Sequence, residues 1–215
     1  MTRKGVNSEY RYTGSSLNES HLYLLPAVKH ILRSLDLGDE TRCIFEIGCG
    51  NGSVAWELSQ LGYKVIGIDS SPTGIAQANA AYPALRLEQG STYDSLAKYY
   101  GTFPVVLSLE VIEHLYDPRV FVRRAFELLD EGGTFIASTP YHGYFKNLAL
   151  ALSGKLDDHF TVLWDGGHIK FFSIRSLSTL LAEAGFTDIH FVRVGRIALL
   201  AKSMIAVAKK PATIR

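Results

Sequence analysis

Residues 46–52 form a glycine-rich run, Glu46-Ile47-Gly48-Cys49-Gly50-Asn51-Gly52. A short apolar run, 43–47, precedes the glycines, and residues 53–61 carry apolar side chains at helical spacing. Glycines at such a strand-to-helix junction allow positive φ angles and let the backbone approach a ligand. The start of a helix also exposes unpaired N–H groups that suit an anion. The run therefore predicts a ligand-binding turn at the first strand of an α/β fold.

A carboxylate, Asp69, ends the next apolar run, 64–69. A carboxylate at the end of the second strand can hold two ribose hydroxyls. Gly50, Gly52 and Ala55 also satisfy the dinucleotide-binding pattern, so NAD is one candidate ligand. The glycine run and Asp69 predict a cofactor that contains ribose, and they do not fix which one.

Apolar runs and helical stretches alternate along the chain. Further strands are predicted at 85–88, 104–109, 134–138, 189–194 and 203–208, and the helices at 20–35, 72–81, 118–129 and 176–184. Nearly continuous apolar strands that alternate with helices indicate a sheet covered on both faces. We predict a Rossmann-like α/β fold, with a seven-stranded, mostly parallel sheet and an N-terminal helix.

The alternation breaks after the fifth strand, where residues 141–170 are irregular and rich in aromatic residues, histidine and glycine. This segment is longer than an ordinary loop, and its aromatic content argues against disorder. Its aromatic side chains fit either a pocket for a flat or hydrophobic substrate or a small core of their own. We predict one domain over 1–215 with a cap, or substrate insert, at 141–170.

Composition narrows the range of partners. The chain has 215 residues, a net charge of +1 and two cysteines. A near-neutral charge disfavours a nucleic-acid partner, and two cysteines without zinc spacing indicate a reduced, cytoplasmic protein. No apolar run approaches the ~20 residues of a membrane span. The apolar run 148–152, with Lys146 and Lys155 near its ends, leaves a weak membrane-surface contact open.

Later motifs complete a recognisable order. They are Gly90-Ser91 after the third strand, Glu110, Glu113 and His114 after the fourth, Asp117-Pro118, the run 130–133, and Gly167-His168-Ile169-Lys170-Phe171. Over about 42–208 this order resembles class I S-adenosylmethionine-dependent methyltransferases, and among them the ubiquinone-biosynthesis O-methyltransferase group. That group has an E-x-x-E-H run before a D-P pair and a Gly-His segment before a Lys-Phe pair. Glu46 stands where many members have Asp.

The resemblance implies a cofactor, S-adenosylmethionine, with S-adenosylhomocysteine as the product. It implies cofactor contacts from Gly48, Gly50 and Gly52 at the methionine moiety, Glu46 near its end, Asp69 at the ribose with Ser70 and Ser71 beside it, Ser91 near the adenine, and Glu110. Ser70 and Ser71 have an alternative role as caps of the helix that starts at Pro72, and Ser91 as the start of a turn.

The methyl acceptor must lie in line with the sulfonium methyl group. An oxygen acceptor also loses a proton, and histidine is the usual base near neutral pH. We predict His114 and His142 as catalytic residues in methyl transfer to a hydroxyl oxygen of a small molecule that is phenolic, quinol-like or a sugar. The alternatives are N- or C-methylation, nucleic-acid 2′-O-methylation, and a non-catalytic module that binds S-adenosylmethionine or NAD.

A divalent cation is the last prediction. Glu110, Glu113, His114 and His168 offer two carboxylates and two imidazoles, which suit Mg²⁺, Mn²⁺ or Zn²⁺. The E-x-x-E-H run locally resembles the metal ligands of plant small-RNA 2′-O-methyltransferases. The alternative is that Glu113 and His114 hydrogen-bond the neighbouring loop and that no metal binds.

Overall fold

The computed structural model describes residues 12, 14–160, 163–164 and 166–212. The strands are β1 (Cys43–Ile47), β2 (Lys64–Asp69), β3 (Arg86–Gln89), β4 (Phe103–Leu109), β5 (Leu129–Pro140), β6 (Thr187–Val194) and β7 (Ser203–Lys209). The helices are α1 (Glu19–Ser34), α2 (Ser53–Ser59), α3 (Pro72–Ala81), α4 (Leu96–Tyr100), α5 (Pro118–Glu127), α6 (Tyr144–Leu152), α7 (Leu156–Phe160) and α8 (Ile174–Glu183). Short 3-10 helices lie at Asp39–Thr41, Ile112–His114 and Ala198–Leu200.

The seven strands form one sheet in the order β3-β2-β1-β4-β5-β7-β6. β1 pairs in parallel with β2 and β4, and β7 runs antiparallel to both β5 and β6. The predicted Rossmann-like fold is therefore confirmed. The strand order reverses between β1 and β4, so the chain leaves these two strands in opposite directions. Such a reversal opens a crevice at the carboxyl ends of the strands, where ligands bind in open α/β sheets.

Two apolar layers cover the sheet because successive side chains of a strand face opposite sides. Phe45 joins the layer formed with α5 and α8, around Phe121 and Leu181. Ile44 joins the layer formed with α1, α2 and α3, around Leu24. Both faces of the central strands are therefore buried, whereas the marginal strand β6 has no buried residue.

The segment 141–170 differs from the sequence prediction because it contains two helices, α6 and α7, where irregular structure was expected. Neither helix has a buried residue, so neither packs on the sheet through a buried apolar face as the other long helices do. Thr161, Val162 and Asp165 of this segment lie outside the described residues. β5 also begins at Leu129, before the predicted start at 134, because Phe103 pairs with Leu129 ahead of a register shift.

In the part of the chain that the structure describes, no helix has both the length and the apolar character needed to cross a membrane.

Candidate functional site

The glycine run turns sharply at the carboxyl end of β1. Gly48, Gly50 and Gly52 have φ angles of +83°, +52° and +75°, a region that L side chains rarely adopt. A Cβ atom on Gly48 would also lie 2.3 Å from Cγ2 of Val111. Glycine at this position is therefore required both by the backbone and by the close approach of the segment after β4.

The Asp69 carboxylate lies against this turn. Its Oδ2 accepts a hydrogen bond of 2.9 Å from the backbone N–H of Gly50, and its Oδ1 accepts one of 2.8 Å from that of Ser71. The Ser71 hydroxyl accepts the N–H of Gly74 at 3.0 Å and so caps α3, while Ser70 is exposed. Of the two serines, Ser71 thus takes the structural role and fixes the strand-to-helix turn beside Asp69.

Glu46 is buried on β1, and its Oε2 has no hydrogen-bond partner among the described residues. Burial, and secondarily the charge of Asp69, raises the pKa of Glu46 to about 8. Such a carboxyl group stays largely protonated at neutral pH until a cation comes close. The site therefore offers a ligand cation a buried acceptor next to the glycine turn.

Ser91 follows β3 at the same sheet edge. Its hydroxyl accepts the N–H of Tyr93 at 3.2 Å, and its own N–H donates to Asp94 Oδ2 at 3.0 Å. These bonds are those of a tight turn. Ser91 is therefore half-buried after the end of β3, and its backbone N–H is already bonded within the turn.

Glu110 directly follows β4 with a φ angle of +55°, a strained value for this residue type. Its Oε1 accepts the Ser138 hydroxyl at 2.8 Å and its Oε2 accepts the Ser203 hydroxyl at 3.3 Å. Burial raises the pKa of Glu110 to about 7, against the lowering effect of the two serines and of Lys146. The side chain is thus held over the ends of β5 and β7.

Glu113, His114 and His168 form a compact group, with one ligand atom of each lying within 4.8 Å of the others. Two backbone bonds bring the segments together: Ile169 N and Lys170 N donate to Glu113 O at 2.9 and 3.0 Å. The His114 Nδ1 lies 3.2 Å from Gly167 O. Three of the four predicted metal ligands are therefore adjacent, whereas Glu110 lies outside the group.

The Glu113 carboxylate is fully buried. Burial, and then the nearby Glu110, raises the pKa of Glu113 well above its ordinary value. The Thr139 hydroxyl opposes part of this rise, but neither carboxylate oxygen makes a well-formed hydrogen bond to a described residue. Buried oxygens without partners cost free energy, and the raised pKa reduces this cost because it favours the neutral form of the carboxyl group.

His142 belongs to a second cluster of rings. Its imidazole lies 5.5 Å from that of His159 and 5.1 Å from the ring of Phe171 between centroids. Its backbone N–H donates to Phe172 O at 3.2 Å. Burial, and then Lys146, lowers the pKa of His142 to about 4. The imidazole is therefore neutral at pH 7.

Three polar residues that the structure places near Glu110 were not assigned to the site in the sequence analysis. Ser138 and Ser203 hold Glu110, and Lys146 donates to Lys202 O at 3.2 Å. Burial, and then Arg196, lowers the pKa of Lys146 to about 8. The two serines lie within strand pairs, and their proximity to Glu110 depends on the order of strands in the sheet. The one available signal was a serine at the carboxyl end of a predicted strand.

Comparisons with known proteins agree with this arrangement. The profile of the family described as "Methyltransferase domain" matches residues 20–191. A ubiquinone biosynthesis O-methyltransferase of Methylobacterium nodulans is 34% identical over 157 residues, which are 70% of this chain and 61% of that protein. The protein of the same name from Azorhizobium caulinodans is 35% identical over 150 residues, covering 66% of this chain and 58% of the relative. This chain thus spans about three fifths of the length of these relatives.

Among solved structures, the fold is similar to the magnesium protoporphyrin IX methyltransferase of Synechocystis, a structure with bound SAH. The TM-score is 0.64 at 18% identity, and the match covers 86% of this chain and 82% of the other. At this identity the likeness establishes the fold alone.

Proposed function

This chain belongs to the methyltransferase-domain family, and we propose that it binds S-adenosylmethionine and transfers the methyl group to a hydroxyl oxygen of a small molecule. S-adenosylhomocysteine and the methyl ether are the products, and the hydroxyl proton leaves. One observation carries the proposal. Asp69, the glycine turn and the segment 110–114 lie together at the carboxyl ends of β2, β1 and β4.

The cofactor contacts follow from the chemistry of that edge. Asp69 accepts the ribose hydroxyls, because it ends β2 beside the glycine turn and a carboxylate can accept several hydrogen bonds at once. Glu46 faces the methionine end, where the ammonium group of the cofactor pairs with the buried carboxylate. The backbone can approach the same moiety at Gly48, Gly50 and Gly52. The rest of the proposed cofactor site is lined by Ser70, Ser71, Ser91 and Glu110.

The acceptor hydroxyl must be aligned with the sulfonium methyl and lose its proton. His114 and His142 are the candidate bases. Burial lowers the pKa of both imidazoles and so favours the neutral form, in which one ring nitrogen can accept a proton. The two histidines lie in different ring clusters, and substitution of each in turn distinguishes which one serves the reaction.

A divalent cation fits the group of Glu113, His114 and His168. A cation would favour the ionised form of Glu113, whose two oxygens have no partner among the described residues, and the imidazoles would supply nitrogen ligands. When bound, Mg²⁺, Mn²⁺ or Zn²⁺ would lower the pKa of an acceptor hydroxyl. Glu110, already hydrogen-bonded to Ser138 and Ser203, would contribute charge rather than direct ligation.

The substrate that we propose is phenolic, quinol-like or a sugar. Relatives named for O-methylation in ubiquinone biosynthesis support the first two classes. The rings of Phe160, Phe171 and Trp164 near the histidines suit a flat molecule. Tyr144 and Leu152 on α6 are 75% and 81% exposed, which supports a weak contact with a membrane surface where apolar substrates gather.

The test combines cofactor identification with a transfer screen. We expect S-adenosylhomocysteine to copurify, and labelled methyl groups to pass to a hydroxylated metabolite as an alkali-stable ether. The matched control is the Asp69→Ala variant, which is expected to lose both results. NAD in the purified protein, or a label recovered only on nitrogen or carbon, would contradict O-methylation.

A further inference from the structure

Residues 12 and 14–17 precede α1 and lie against the glycine turn and α3. We call this segment the strap. Four side-chain bonds from the cofactor edge hold its backbone: Asn51 Nδ2 to Gly14 O at 2.7 Å and to Ser16 O at 3.0 Å, Gln77 Nε2 to Tyr12 O at 2.7 Å, and Tyr82 Oη to Ser15 O at 2.7 Å. Three donors from the glycine turn, α3 and the residue after α3 thus fix a segment that has no regular structure.

The Tyr12 side chain occupies a seat made by two glycines. A Cβ atom on Gly50 would lie 2.3 Å from Tyr12 Oη, and one on Gly74 would lie 2.9 Å from Tyr12 Cε2. Neither distance is tolerable, so the ring fits only because both positions lack a side chain. The same Cβ on Gly74 would lie 3.1 Å from Gly50 O, so a side chain there would also press on the glycine turn.

This seat adjoins the Asp69 carboxylate. One oxygen of Asp69 is bonded to Gly50 N, and the other to Ser71 N, while Ser71 in turn caps α3 at Gly74. The carboxylate is therefore joined to both walls that hold the Tyr12 ring. The Tyr12 ring thus packs against the two segments that hold the Asp69 carboxylate in place.

We propose that Tyr12 is a cofactor-site residue whose ring, carried by the strap, closes over the ribose at Asp69 and lifts when the cofactor exchanges. The inference rests on the proposed function. A hydrogen bond between a carboxylate and ribose hydroxyls is stronger when water is excluded from it. The strap is held by four side-chain bonds and by no strand pairing, so it opens at lower cost than the sheet.

The proposal specifies which part of the ligand is recognised. Because the ring covers ribose, every ligand with the nucleoside part gains equally from it, whether or not the amino-acid part is present. S-adenosylhomocysteine and 5′-methylthioadenosine are therefore the matched probes, since the second lacks the amino-acid chain.

The experiment measures equilibrium affinity and dissociation rate of both probes for the wild type, Tyr12→Ala and Tyr12→Phe. We expect Tyr12→Ala to weaken both probes by the same factor, about tenfold, through faster dissociation. Tyr12→Phe keeps the ring and is expected to stay near the wild type. Gln77→Ala removes one bond to the strap outside the site and is also expected to speed the dissociation of both probes.

Three outcomes would overturn the inference. They are unchanged affinities in Tyr12→Ala, a loss confined to S-adenosylhomocysteine, and an equal loss of affinity in Tyr12→Phe. If the wild type itself binds neither probe, the proposed function fails instead, so the two failures are distinguishable.

Discussion

Oδ2 of Asp69 accepts a 2.9 Å hydrogen bond from the backbone N–H of Gly50, nineteen residues earlier in the chain. The bond ties the end of β2 to the turn after β1. It orients the carboxylate before any ligand arrives, so ordering it costs nothing on binding. Asp69 consequently has two roles, one in the turn and one toward the ligand, and experiments must separate them.

Asp69→Ala is expected to weaken S-adenosylmethionine binding by roughly 1.5–3 kcal/mol, the loss of a charged acceptor for two hydroxyls. It also leaves the N–H groups of Gly50 and Ser71 without their acceptor, so the free protein should melt at a lower temperature. Calorimetric titration and thermal unfolding measure the two effects. Asp69→Asn keeps one acceptor oxygen, so its affinity and melting temperature should lie between those of the wild type and of Asp69→Ala. Unchanged affinity in folded Asp69→Ala would refute the ribose assignment.

Gly48→Ala is expected to destabilise the free protein by about 1–3 kcal/mol, the usual cost of a side chain held at strained φ. The new Cβ also meets Val111 Cγ2. Denaturant unfolding checks the magnitude. The double variant Gly48→Ala with Val111→Ala should recover the part due to the clash and keep the part due to the backbone. Full recovery in the double variant would show that the backbone angle carries no cost.

Glu46 makes the stability of the free protein depend on pH. Its folded pKa, about 8, lies above the ordinary value of 4.5, so the unfolded chain releases this proton first as the pH rises. Stability from this group is complete below pH 4.5 and is lost as the pH rises to about 8, with a slope of up to about 1.4 kcal/mol per pH unit. Glu46→Gln should flatten the curve in this window.

The same carboxyl group should release a proton when the cofactor binds at pH 7, because the ligand ammonium lowers the pKa of Glu46. Titration of S-adenosylhomocysteine in buffers of different ionisation enthalpy measures this release. Glu46→Gln is the control and should release less. Equal proton release in both proteins would argue that Glu46 does not meet the ammonium group.

Chelation is expected to reduce methyl transfer, with recovery on addition of Mg²⁺, Mn²⁺ or Zn²⁺. Burial favours the neutral form of the Glu113 carboxyl group, and Glu113→Gln keeps that shape, so the free protein should stay stable while metal affinity falls at least about tenfold. His190→Ala, at an exposed histidine on β6, is the matched control. Full activity in chelator would show that the reaction needs no metal and would leave His114 as a candidate general base.

The segment 141–170 is expected to become protected from hydrogen exchange when S-adenosylhomocysteine binds. α6 and α7 have no buried residue, so their amides should exchange readily in the free protein. Peptides from α8, which packs through Leu177 and Leu181, provide the internal reference. No added protection in α6 and α7 would show that the segment is no lid over the methyl donor.

The site was only partly visible in the sequence. The glycine turn and Asp69 were predicted because their conformational and chemical needs are local: positive φ angles and a carboxylate at a strand end. Ser71 was correctly considered as a helix cap, since capping also acts within a few residues. The helices of the insert were missed because they bury no apolar face.

By itself the sequence determined the fold class, because short apolar runs alternating with helical periods allow few arrangements other than a mostly parallel sheet covered by helices. Tertiary structure alone decided which side chains meet. Glu110 is held by Ser138 and Ser203, and Tyr12 lies against Gly50. These partners are separated by dozens of residues and share no periodicity. They are brought together by the strand order of the sheet, which local sequence patterns do not encode.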